Sequence, residues 1–341
     1  MFKTVVYLSL CSILLLSVTC RKEKKALPEN HFSIAFYNID NLYDAVDDTD
    51  HNDNEFTPAG KYAWTQARYK AKLENMAKVV TQLADGHSPD ILGVCELENR
   101  KALEALLEEK GLKGKYGIAH FDSPDERGVD VALAYDKHKF KLLHSEKISV
   151  LLSKDLKDKT RDQLCATLLL NASKDTFYVY VCHFPSRKEG KKESEQNRVD
   201  AAKACSTYVS QHFDLKKEKV IIMGDFNDEP WDKSIKSILG AKNIEKNDTA
   251  VLQNLMWGFK AQGRGSYKFK GSMNTLDQII VSKALNDSTG MDYISESIDI
   301  FDADWLTQKG KYAGYPLRTF GGTKWLNGYS DHYPIYMYLK W

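Results

Sequence analysis

Residues 219–227 read KVIIMGDFN, an apolar run that ends in a carboxylate and an amide. The apolar and β-branched residues over 219–224 predict a buried strand, and the Gly-Asp-Phe-Asn at its end predicts a turn. By itself, a carboxylate after a strand is most often a turn former or a helix cap. Its significance therefore depends on whether other strands of the chain end in the same way.

Several further apolar runs also carry polar side chains at one end. We predict strands over 32–38, 90–95, 129–135, 164–170, 176–183, 219–224, 276–282 and 333–339. The polar residues at their ends are Asn38, Asp40, Glu96, His183, Asp225, Asn227, Asp277, Asp331 and His332. In layered α/β folds, functional sites collect at strand ends and in the loops beyond them, so we expect these side chains to form one site.

The residue types at these strand ends indicate metal-assisted hydrolysis. They are carboxylates, amides and imidazoles, without a nucleophilic Cys or a Ser elbow. Oxygen ligands without thiolates suit Mg²⁺, Mn²⁺ or Ca²⁺ better than structural zinc. Two histidines add groups for proton transfer or phosphate binding near neutral pH. Together, these groups predict attack by water on a phosphate ester.

The rest of the pattern favours a mixed α/β architecture. Amphipathic helices are predicted over 65–84 and 193–213, and Pro230 suits the start of a helix over 230–239. Predicted strands occur in adjacent pairs as well as in alternation with helices, which favours a mixed-sheet sandwich over a purely parallel sheet. No linker rich in Pro, Gly or Ser divides 31–341, so we expect one domain there.

The composition is that of an ordinary globular protein. Of 341 residues, 43% are hydrophobic and 28% are charged, which excludes a disordered, a collagenous and a multi-span membrane chain. The 48 Lys and Arg nearly balance the 47 Asp and Glu, for a formal charge of +1. This balance excludes a strongly basic nucleic-acid coat but leaves a local basic patch open.

The first thirty residues predict export. Residues 1–19 place one positive charge before an uncharged apolar stretch, which is typical of a signal peptide. The sequence LSVTC at 16–20 resembles a bacterial lipoprotein signal with Cys20 as the lipidated residue. A plain signal peptide or an uncleaved anchor is the alternative, which the basic run at 21–25 favours. Residues 20–30 are polar and predict a tether between the anchor and the domain.

Four further cysteines follow this segment, at Cys95, Cys165, Cys182 and Cys205. Their spacing matches neither a C-x-x-C motif nor a zinc site. They can be buried small hydrophobes. A Cys165–Cys182 bridge across a hairpin is the alternative in an oxidising compartment.

Read in order, the strand-end motifs resemble the endonuclease/exonuclease/phosphatase superfamily, which is deoxyribonuclease I-like in fold. Its members include pancreatic deoxyribonuclease, apurinic endonucleases, neutral sphingomyelinases and inositol-phosphate phosphatases. The resemblance covers roughly residues 31–341, and stretches such as NIDNLYD, CELEN, HFPSR and YSDHYP are similar to a secreted bacterial subgroup described as endonuclease-like. It implies a four-layer αββα sandwich with two mixed β-sheets and a site where the sheets meet at one edge.

The resemblance also implies a metal site. Glu96 would be the principal ligand, helped by Asp40 and Asp331. The ion would be Mg²⁺ or Mn²⁺, with Ca²⁺ as a further possibility. His183 would lie beside the leaving oxygen, as in the deoxyribonuclease branch.

Catalytic roles for the remaining strand-end residues follow from the same resemblance. Asp225 would orient and deprotonate the attacking water. Asn38 and Asn227 would hydrogen-bond the phosphate and its neighbours. His332, held by Asp277, would contact the phosphate or act as acid and base.

Cationic and aromatic residues near these motifs have two interpretations each. Arg187 could bind substrate phosphate bidentately or be a surface charge, and Arg198 could do the same or form a structural ion pair. The lysines within 188–192 could contact a polyanion or lie in a solvated loop. The aromatics and cations within 312–325 could stack bases or cover the edge of the sandwich.

The resulting hypothesis is an exported, divalent-metal-dependent phosphodiesterase, and within that class an endonuclease acting on nucleic acid. We expect a monomer without an evident protein partner, attached through lipidated Cys20 to a membrane of the bacterial cell envelope. A phosphatase or phospholipase-like phosphoesterase on the same scaffold is the first alternative. A binding module without catalysis is the second.

Overall fold

The computed structural model describes residues 26–243 and 250–341. The predicted signal peptide (1–19), Cys20 and residues 20–25 of the tether lie outside the described residues, so those features remain predictions. Residues 26–30 form neither a helix nor a strand. Within the described ranges, no helix combines the length and the apolar composition needed to cross a bilayer.

Eighteen strands and three α-helices form within these two ranges. The strands are β1 (His31–Leu42), β2 (Ile91–Leu97), β3 (Tyr116–His120), β4 (Asp130–Asp136), β5 (Phe140–Ile148), β6 (Gln163–Leu170), β7 (Thr176–His183), β8 (Val220–Asp225), β9 (Ala241–Lys242), β10 (Leu252–Asn254), β11 (Tyr267–Phe269), β12 (Ser272–Asn274), β13 (Asp277–Ser282), β14 (Asp292–Tyr293), β15 (Asp299–Ile300), β16 (Phe320–Gly321), β17 (Lys324–Trp325) and β18 (Ile335–Lys340). The helices are α1 (Gln66–Val80), α2 (Arg100–Leu107) and α3 (Glu195–His212). A π-helical turn spans Ser234–Leu239, and 3₁₀ turns span Asn54–Phe56, Lys260–Gln262, Lys283–Leu285, Asp304–Leu306 and Gly310–Tyr312.

Two large mixed sheets contain most of these strands. The first has the order β14-β18-β1-β2-β4-β3, with β15 also paired to β18, and the second has the order β5-β6-β7-β8-β13-β10-β9. The pairs β1–β2, β7–β8 and β9–β10 are parallel, and the other pairs in these sheets are antiparallel. Two short hairpins, β11–β12 and β16–β17, stand apart from them. The prediction of a sandwich of two mixed sheets is confirmed.

The two sheets pack face to face, as the alternation of side chains along β8 shows. Ile221 and Met223 belong to the core shared with the first sheet, whereas Ile222 belongs to the core beneath α3. The sheets approach closely at Gly93 of β2, because a Cβ there would lie 2.5 Å from the Met223 Cε atom. Helices α1 and α2 contact β1 and β2, and Cys205 of α3 packs in the second core. These contacts form the four predicted layers.

The eight predicted strands all form, but one boundary is wrong in a way that affects the site. Strand β1 continues to Leu42 instead of ending at residue 38, so Asn38 and Asp40 lie within the strand. Strands β3 and β5 and helix α2 were not predicted. Strand β5 is an edge strand whose side chains are mostly exposed or half-buried, so it lacks the apolar signal of a buried strand.

The predicted helix over 230–239 is also shorter than expected. Only Ser234–Leu239 is helical, as a single π-helical turn. Before it, the Asp232 carboxylate accepts the backbone N–H of Glu229 at 2.8 Å and stabilises a turn. Pro230 and Trp231 lie in that turn, so the helix does not start at Pro230.

The four cysteines of the described chain are free and buried. In the β6–β7 register, Cys165 lies opposite Tyr180 and not opposite Cys182. The Cys165–Cys182 bridge that the sequence left open is therefore wrong, and these thiols pack as small hydrophobes.

Replacing Gly224 by Ala should destabilise the fold and lower activity together. A Cβ at Gly224 would lie 2.2 Å from the carbonyl oxygen of Cys182 on the neighbouring strand, so β7 and β8 would have to separate just before Asp225. Overpacking of this kind costs about 1–3 kcal/mol. Gly258→Ala is the matched control, because the nearest atom to its Cβ is Gln262 Nε2 at 3.8 Å. Equal midpoints of urea unfolding for the two variants would contradict this account.

Candidate active site

Three of the predicted site residues lie side by side on neighbouring strands of the second sheet. Strand β7 ends with His183, β8 ends with Asp225, and β13 begins with Asp277. The strand pairing places His183 opposite Asp225 on one side and Asp277 opposite Asp225 on the other. Directly opposite residues in a sheet lie about 5 Å apart. The sheet register alone therefore brings these three side chains together.

Asn38 of β1 connects the first sheet to this row. Its Nδ2 donates a hydrogen bond to Asp225 Oδ2 at 3.1 Å, and its Oδ1 accepts the backbone N–H of Asp40 at 3.0 Å. The hydroxyl of Ser330 donates to the carbonyl oxygen of Asn38 at 2.7 Å. Asn38 therefore holds the edges of both sheets and the Ser-Asp-His segment in one place.

His332 of that segment contacts Asp277, as predicted. Its Nδ1 lies 2.6 Å from Asp277 Oδ2, and its Nε2 lies 3.8 Å from Asp225 Oδ2. The ring of Tyr267 packs against the imidazole with the two centroids 4.8 Å apart. The carboxylate and the ring together fix the orientation of the imidazole.

Asn227 contacts Asp225 through its backbone and anchors the turn after β8 through its side chain. Its backbone N–H donates to Asp225 Oδ1 at 2.9 Å, and its Nδ2 donates to the carbonyl oxygen of Phe184 at 3.0 Å. Because Asn38 donates to the other oxygen, both oxygens of the Asp225 carboxylate accept a hydrogen bond. The side-chain amide of Asn227 thus already donates to the protein in this structure. Its predicted contact with a phosphate remains a prediction.

Left-handed backbone at three site residues turns their side chains out of the regular strand alternation. Asp40, Glu96 and Asn227 have φ angles of 50°, 63° and 50°. The pairing of β1 with β2 shifts after Asn38, and that of β2 with β4 shifts after Cys95, so Asp40 and Glu96 lie in β-bulges. A residue other than Gly in this conformation costs on the order of 1–3 kcal/mol. Such strain concentrates at functional sites, where it re-aims a side chain.

Burial and mutual repulsion raise the pKa values of several site carboxylates. Burial, with the nearby charge of Asp277, raises the pKa of Asp225 to about 6 even though His332 acts against the shift. Burial and the charge of Asp40 raise the pKa of Asp331, and Arg318 opposes that shift. The charged forms of these groups are therefore costly in the fold as it stands.

The two histidines are shifted in opposite directions. Burial and the positive charges of Arg161 and Arg127 hold the pKa of His183 well below its ordinary value, so its imidazole is neutral at pH 7. Burial acts against a charge on His332, but the carboxylates of Asp277, Asp225 and Asp331 together outweigh it and raise the pKa well above the ordinary value. The site therefore pairs one neutral and one positively charged imidazole.

Glu96 is the carboxylate best placed to bind a cation. Within the described residues, its carboxylate accepts no hydrogen bond, and His183 Nε2 lies 3.7 Å from its Oε1. Burial, opposed by Arg127 and reinforced by Asp331, raises the pKa of Glu96. A carboxylate that is largely buried, without a donor and among other acids, fits a divalent cation, and an oxygen donor set fits Mg²⁺ or Mn²⁺.

Asp40 and Asp331, the other predicted ligands, are bridged by a guanidinium group. Arg318 Nη2 lies 3.1 Å from Asp331 Oδ2 and 3.9 Å from Asp40 Oδ1. This contact gives Arg318 a place in the site, where the sequence had left its role open.

The predicted trio of ligands is not preassembled. In the described parts of the chain, two groups of three bring ligand atoms within 4.8 Å of one another: Asp225, Asp277 and His332 here, and His120, Asp122 and Asp130 beside β3 and β4. Magnesium usually keeps several waters and is held by one or two carboxylates. The geometry therefore fits an ion held mainly through Glu96 and water better than one enclosed by three carboxylates.

A buried lysine beneath the site was missed in the sequence. Lys72 on α1 donates to Thr319 Oγ1 at 2.7 Å, to the carbonyl oxygen of Asp40 at 3.4 Å and to that of Tyr329. Thr319 in turn donates its backbone N–H to Asp40 Oδ2 at 3.2 Å. Burial lowers the pKa of Lys72 to about 8, although Asp40 opposes the shift. A lysine in an amphipathic helix gives no sequence signal of burial, because lysines there are normally exposed.

Arg187, predicted to bind substrate, forms ion pairs with two carboxylates that follow β8. Its Nη2 lies 3.1 Å from Asp228 Oδ1 and 2.9 Å from Asp232 Oδ2. Arg198 Nε lies 2.8 Å from the same Asp228 oxygen, and its side chain is fully buried. Both arginines therefore form ion pairs with acids that follow β8, which selects the structural interpretation for Arg198. The predicted contact of Arg187 with substrate remains a prediction.

A family model described as the Endonuclease/Exonuclease/phosphatase family matches residues 33–341. The chain belongs to this family. Enzymes of this family hydrolyse phosphate esters with divalent metal ions, and the chain is a hydrolase of that class. No curated protein sequence matches the chain.

Solved structures with the same fold have low sequence identity. D. rerio TDP2 complexed with a single-strand DNA product is 16% identical, with a TM-score of 0.55 and coverage of 91% of this chain and 99% of that one. A Bacteroides thetaiotaomicron mannosyl-6-phosphatase is 15% identical, with a TM-score of 0.55 and coverage of 91% and 100%. The human Nocturnin catalytic domain is 16% identical, with a TM-score of 0.51 and coverage of 91% and 94%. At these identities the likeness shows the fold alone.

Replacing Glu96, Asp225 or His332 by Ala should slow turnover about 10²–10³-fold, the usual loss for one group that stabilises a transition state. Circular dichroism should be unchanged, because each change removes a polar group at the sheet edge and not a core side chain. His144→Ala on the exposed face of β5 is the control and should keep wild-type rates. Near-wild-type hydrolysis by a purified His332→Ala protein would refute the site.

The pH profile of kcat/KM should rise through about pH 6, because the pKa of Asp225 is raised to about 6 and its carboxylate must be ionised to accept a proton. His332 remains protonated there, since Asp277 raises its pKa. The rate should fall again at alkaline pH, where His332 loses its proton. Asp277→Asn removes the negative partner of His332, so this fall in kcat/KM should occur at lower pH in the variant. A profile that is flat from pH 5 to 8 would show that Asp225 is not the base.

Proposed function

We propose that the chain is a divalent-metal-dependent phosphodiesterase that cleaves nucleic-acid phosphodiester bonds with water as the nucleophile. The observation that supports this most strongly is the environment of Asp225. Its carboxylate accepts the Asn38 amide at 3.1 Å and lies 3.8 Å from His332 Nε2 and 3.9 Å from His183 Nε2. A buried base flanked by an amide and two imidazoles can orient a water and receive its proton.

The residues of the site divide the reaction between them. Asp225, with a pKa of about 6, is ionised at neutral pH and accepts the proton of the attacking water. His332 is positively charged and can hydrogen-bond a phosphate oxygen on which negative charge develops. His183 is neutral and can donate a hydrogen bond from Nε2 to the leaving oxygen, which takes its proton from solvent water. A divalent ion bound at Glu96 would offset the negative charge of the phosphate.

The charge of the site favours a diester over a monoester. Five carboxylates lie at or beside it, against the cations of His332, Arg318 and Lys72. A phosphodiester carries one negative charge, whereas a monoester carries nearly two at pH 7, so the diester is repelled less. The DNA product in the D. rerio TDP2 complex supports a nucleic-acid substrate on this fold.

We also infer that the protein is exported and lipidated at Cys20. This inference rests on the pattern of residues 1–20 alone. Labelling of whole cells with an alkyne fatty acid should mark the wild type and not Cys20→Ser.

A substrate panel tests the activity. The full chain is incubated with plasmid DNA, single-stranded RNA, bis-p-nitrophenyl phosphate, p-nitrophenyl phosphate and inositol phosphates, each with Mg²⁺, Mn²⁺, Ca²⁺ or EDTA. We expect cleavage of nucleic acid and of the small diester, abolished by EDTA and restored by excess Mg²⁺ or Mn²⁺. Release of phosphate from monoesters alone would identify a phosphatase instead, and metal binding without turnover would identify a binding module.

A further inference from the structure

A hairpin extends outward from the catalytic histidine. Strands β11 and β12 form it, and its first residue, Tyr267, makes an antiparallel bridge to His332 and packs its ring against the imidazole. Lys270 and Gly271 form the tip, both with positive φ, as a tight two-residue turn requires. Phe269, next to the tip, is 55% exposed. The hairpin therefore presents an exposed aromatic side chain on a backbone that begins at the site.

A second segment lies against this hairpin. The backbone N–H of Gly271 donates to the Tyr315 hydroxyl at 2.7 Å, and Lys268 Nζ donates to the carbonyl oxygen of Ala313 at 3.3 Å. The same ammonium group lies 4.9 Å from the centroid of the Tyr315 ring. Tyr312, three residues earlier, is 54% exposed. We call residues 267–272 and 309–318 together the basic–aromatic ridge.

The charge of the ridge has one sign. Its cationic residues are Lys268, Lys270, Lys309, Lys311 and Arg318, and neither 265–276 nor 305–318 contains an Asp or Glu. Among the described residues, none of the four lysines has a carboxylate oxygen within 4.0 Å. Lys270 and Lys311 lie 5.3 Å and 5.6 Å from the ring centroids of Phe269 and Tyr312. In a chain with a net charge of only +1, this is a local concentration of unpaired positive charge beside exposed rings.

We infer that the basic–aromatic ridge binds the nucleic-acid strand on one side of the scissile phosphate, with its lysines on backbone phosphates and with Phe269 and Tyr312 stacked on bases. The inference rests on the proposed function and deepens it. Cationic grooves with interspersed aromatic rings bind single strands with little base preference, because every base offers a π-face. At its inner end the ridge reaches the site through Tyr267 on His332 and through Arg318 on Asp331.

An anionic membrane would also attract exposed lysines and aromatic rings. Continuity with the catalytic histidine favours the nucleic acid, because a polymer held along the ridge has its next phosphate delivered to His332. Binding of a flat lipid surface would not depend on a continuous path from the ridge to His332.

The test compares binding and cleavage by the full chain and by two double variants, Phe269→Ala/Tyr312→Ala and Lys270→Glu/Lys311→Glu. Binding of a fluorescein-labelled 20-nucleotide single strand is measured by anisotropy in EDTA, across a range of salt concentrations. Cleavage of the same strand and of bis-p-nitrophenyl phosphate is measured with Mg²⁺. The matched control is Leu143→Ala/Lys110→Glu, which changes an exposed apolar residue on edge strand β5 and an exposed lysine after α2.

We expect each ridge variant to raise the Kd for the strand and to lower kcat/KM for its cleavage at least tenfold. For the aromatic variant, the loss of a single base stack is already on that scale. The lysine variant should also reduce the slope of log Kd against log salt by about 1.4, at about 0.7 per phosphate contact. Hydrolysis of the small diester, which reaches only the site, should stay within twofold of the wild type. The control should match the wild type in every assay.

Four outcomes would overturn the inference. Unchanged strand binding in both ridge variants, with the wild type still cleaving the strand, refutes the ridge and leaves the proposed function intact. An equal loss on the small diester shows that the ridge only supports the site structurally. In a parallel assay of binding to phosphatidylglycerol vesicles, loss of vesicle binding in the ridge variants without loss on the strand assigns the surface to a membrane. A wild type that neither binds nor cleaves nucleic acid refutes the proposed function together with the ridge.

Discussion

The register of three adjacent strands is the constraint on which the site depends. Hydrogen bonding between β7, β8 and β13 places His183, Asp225 and Asp277 opposite one another at one edge of the second sheet. Because the side-chain period of a strand is two, a slip of one residue in either pairing would turn Asp225 to the other face. The alternation of Ile221, Ile222 and Met223 between the two cores prevents that slip. The geometry of the candidate site is thus held by the hydrophobic packing of the same strand.

The second sheet supplies its site residues from regular strands. The first sheet supplies its site residues from positions where the backbone is irregular. Asp40 and Glu96 lie in bulges with positive φ, and Asn227 adopts the same conformation just after β8. In a regular strand, their side chains would alternate into the core or away from the site. The strain is offset by contacts that the surrounding fold provides, among them the hydrogen bond from Thr319 to the Asp40 carboxylate and the Lys72 ammonium beneath it.

The electrostatics of the site follow from this crowding of acids in a buried place. Burial raises the pKa of Asp225 and of Glu96, while Asp277 stabilises a proton on His332. Arg318 is paired with Asp331 and Asp40, and in the described part of the chain no group donates a hydrogen bond to the Glu96 carboxylate. This excess of buried carboxylates over cations would be stabilised by an added cation, which agrees with the divalent-metal dependence of the family.

The amino-acid sequence alone determined the buried strands, the residues at their ends and the chemistry of those residues. A buried strand requires a run of apolar residues, and the polar residues that end such a run are visible in the sequence. It did not show edge strand β5, whose side chains are too exposed to leave that pattern. Only the tertiary structure decided which charges meet. Arg187 pairs with Asp228 and Asp232, Lys72 is buried against residues 247 and 257 positions away, and Tyr267 faces His332. Partners of this kind are set by distances through space, and residue types along the chain do not encode those distances.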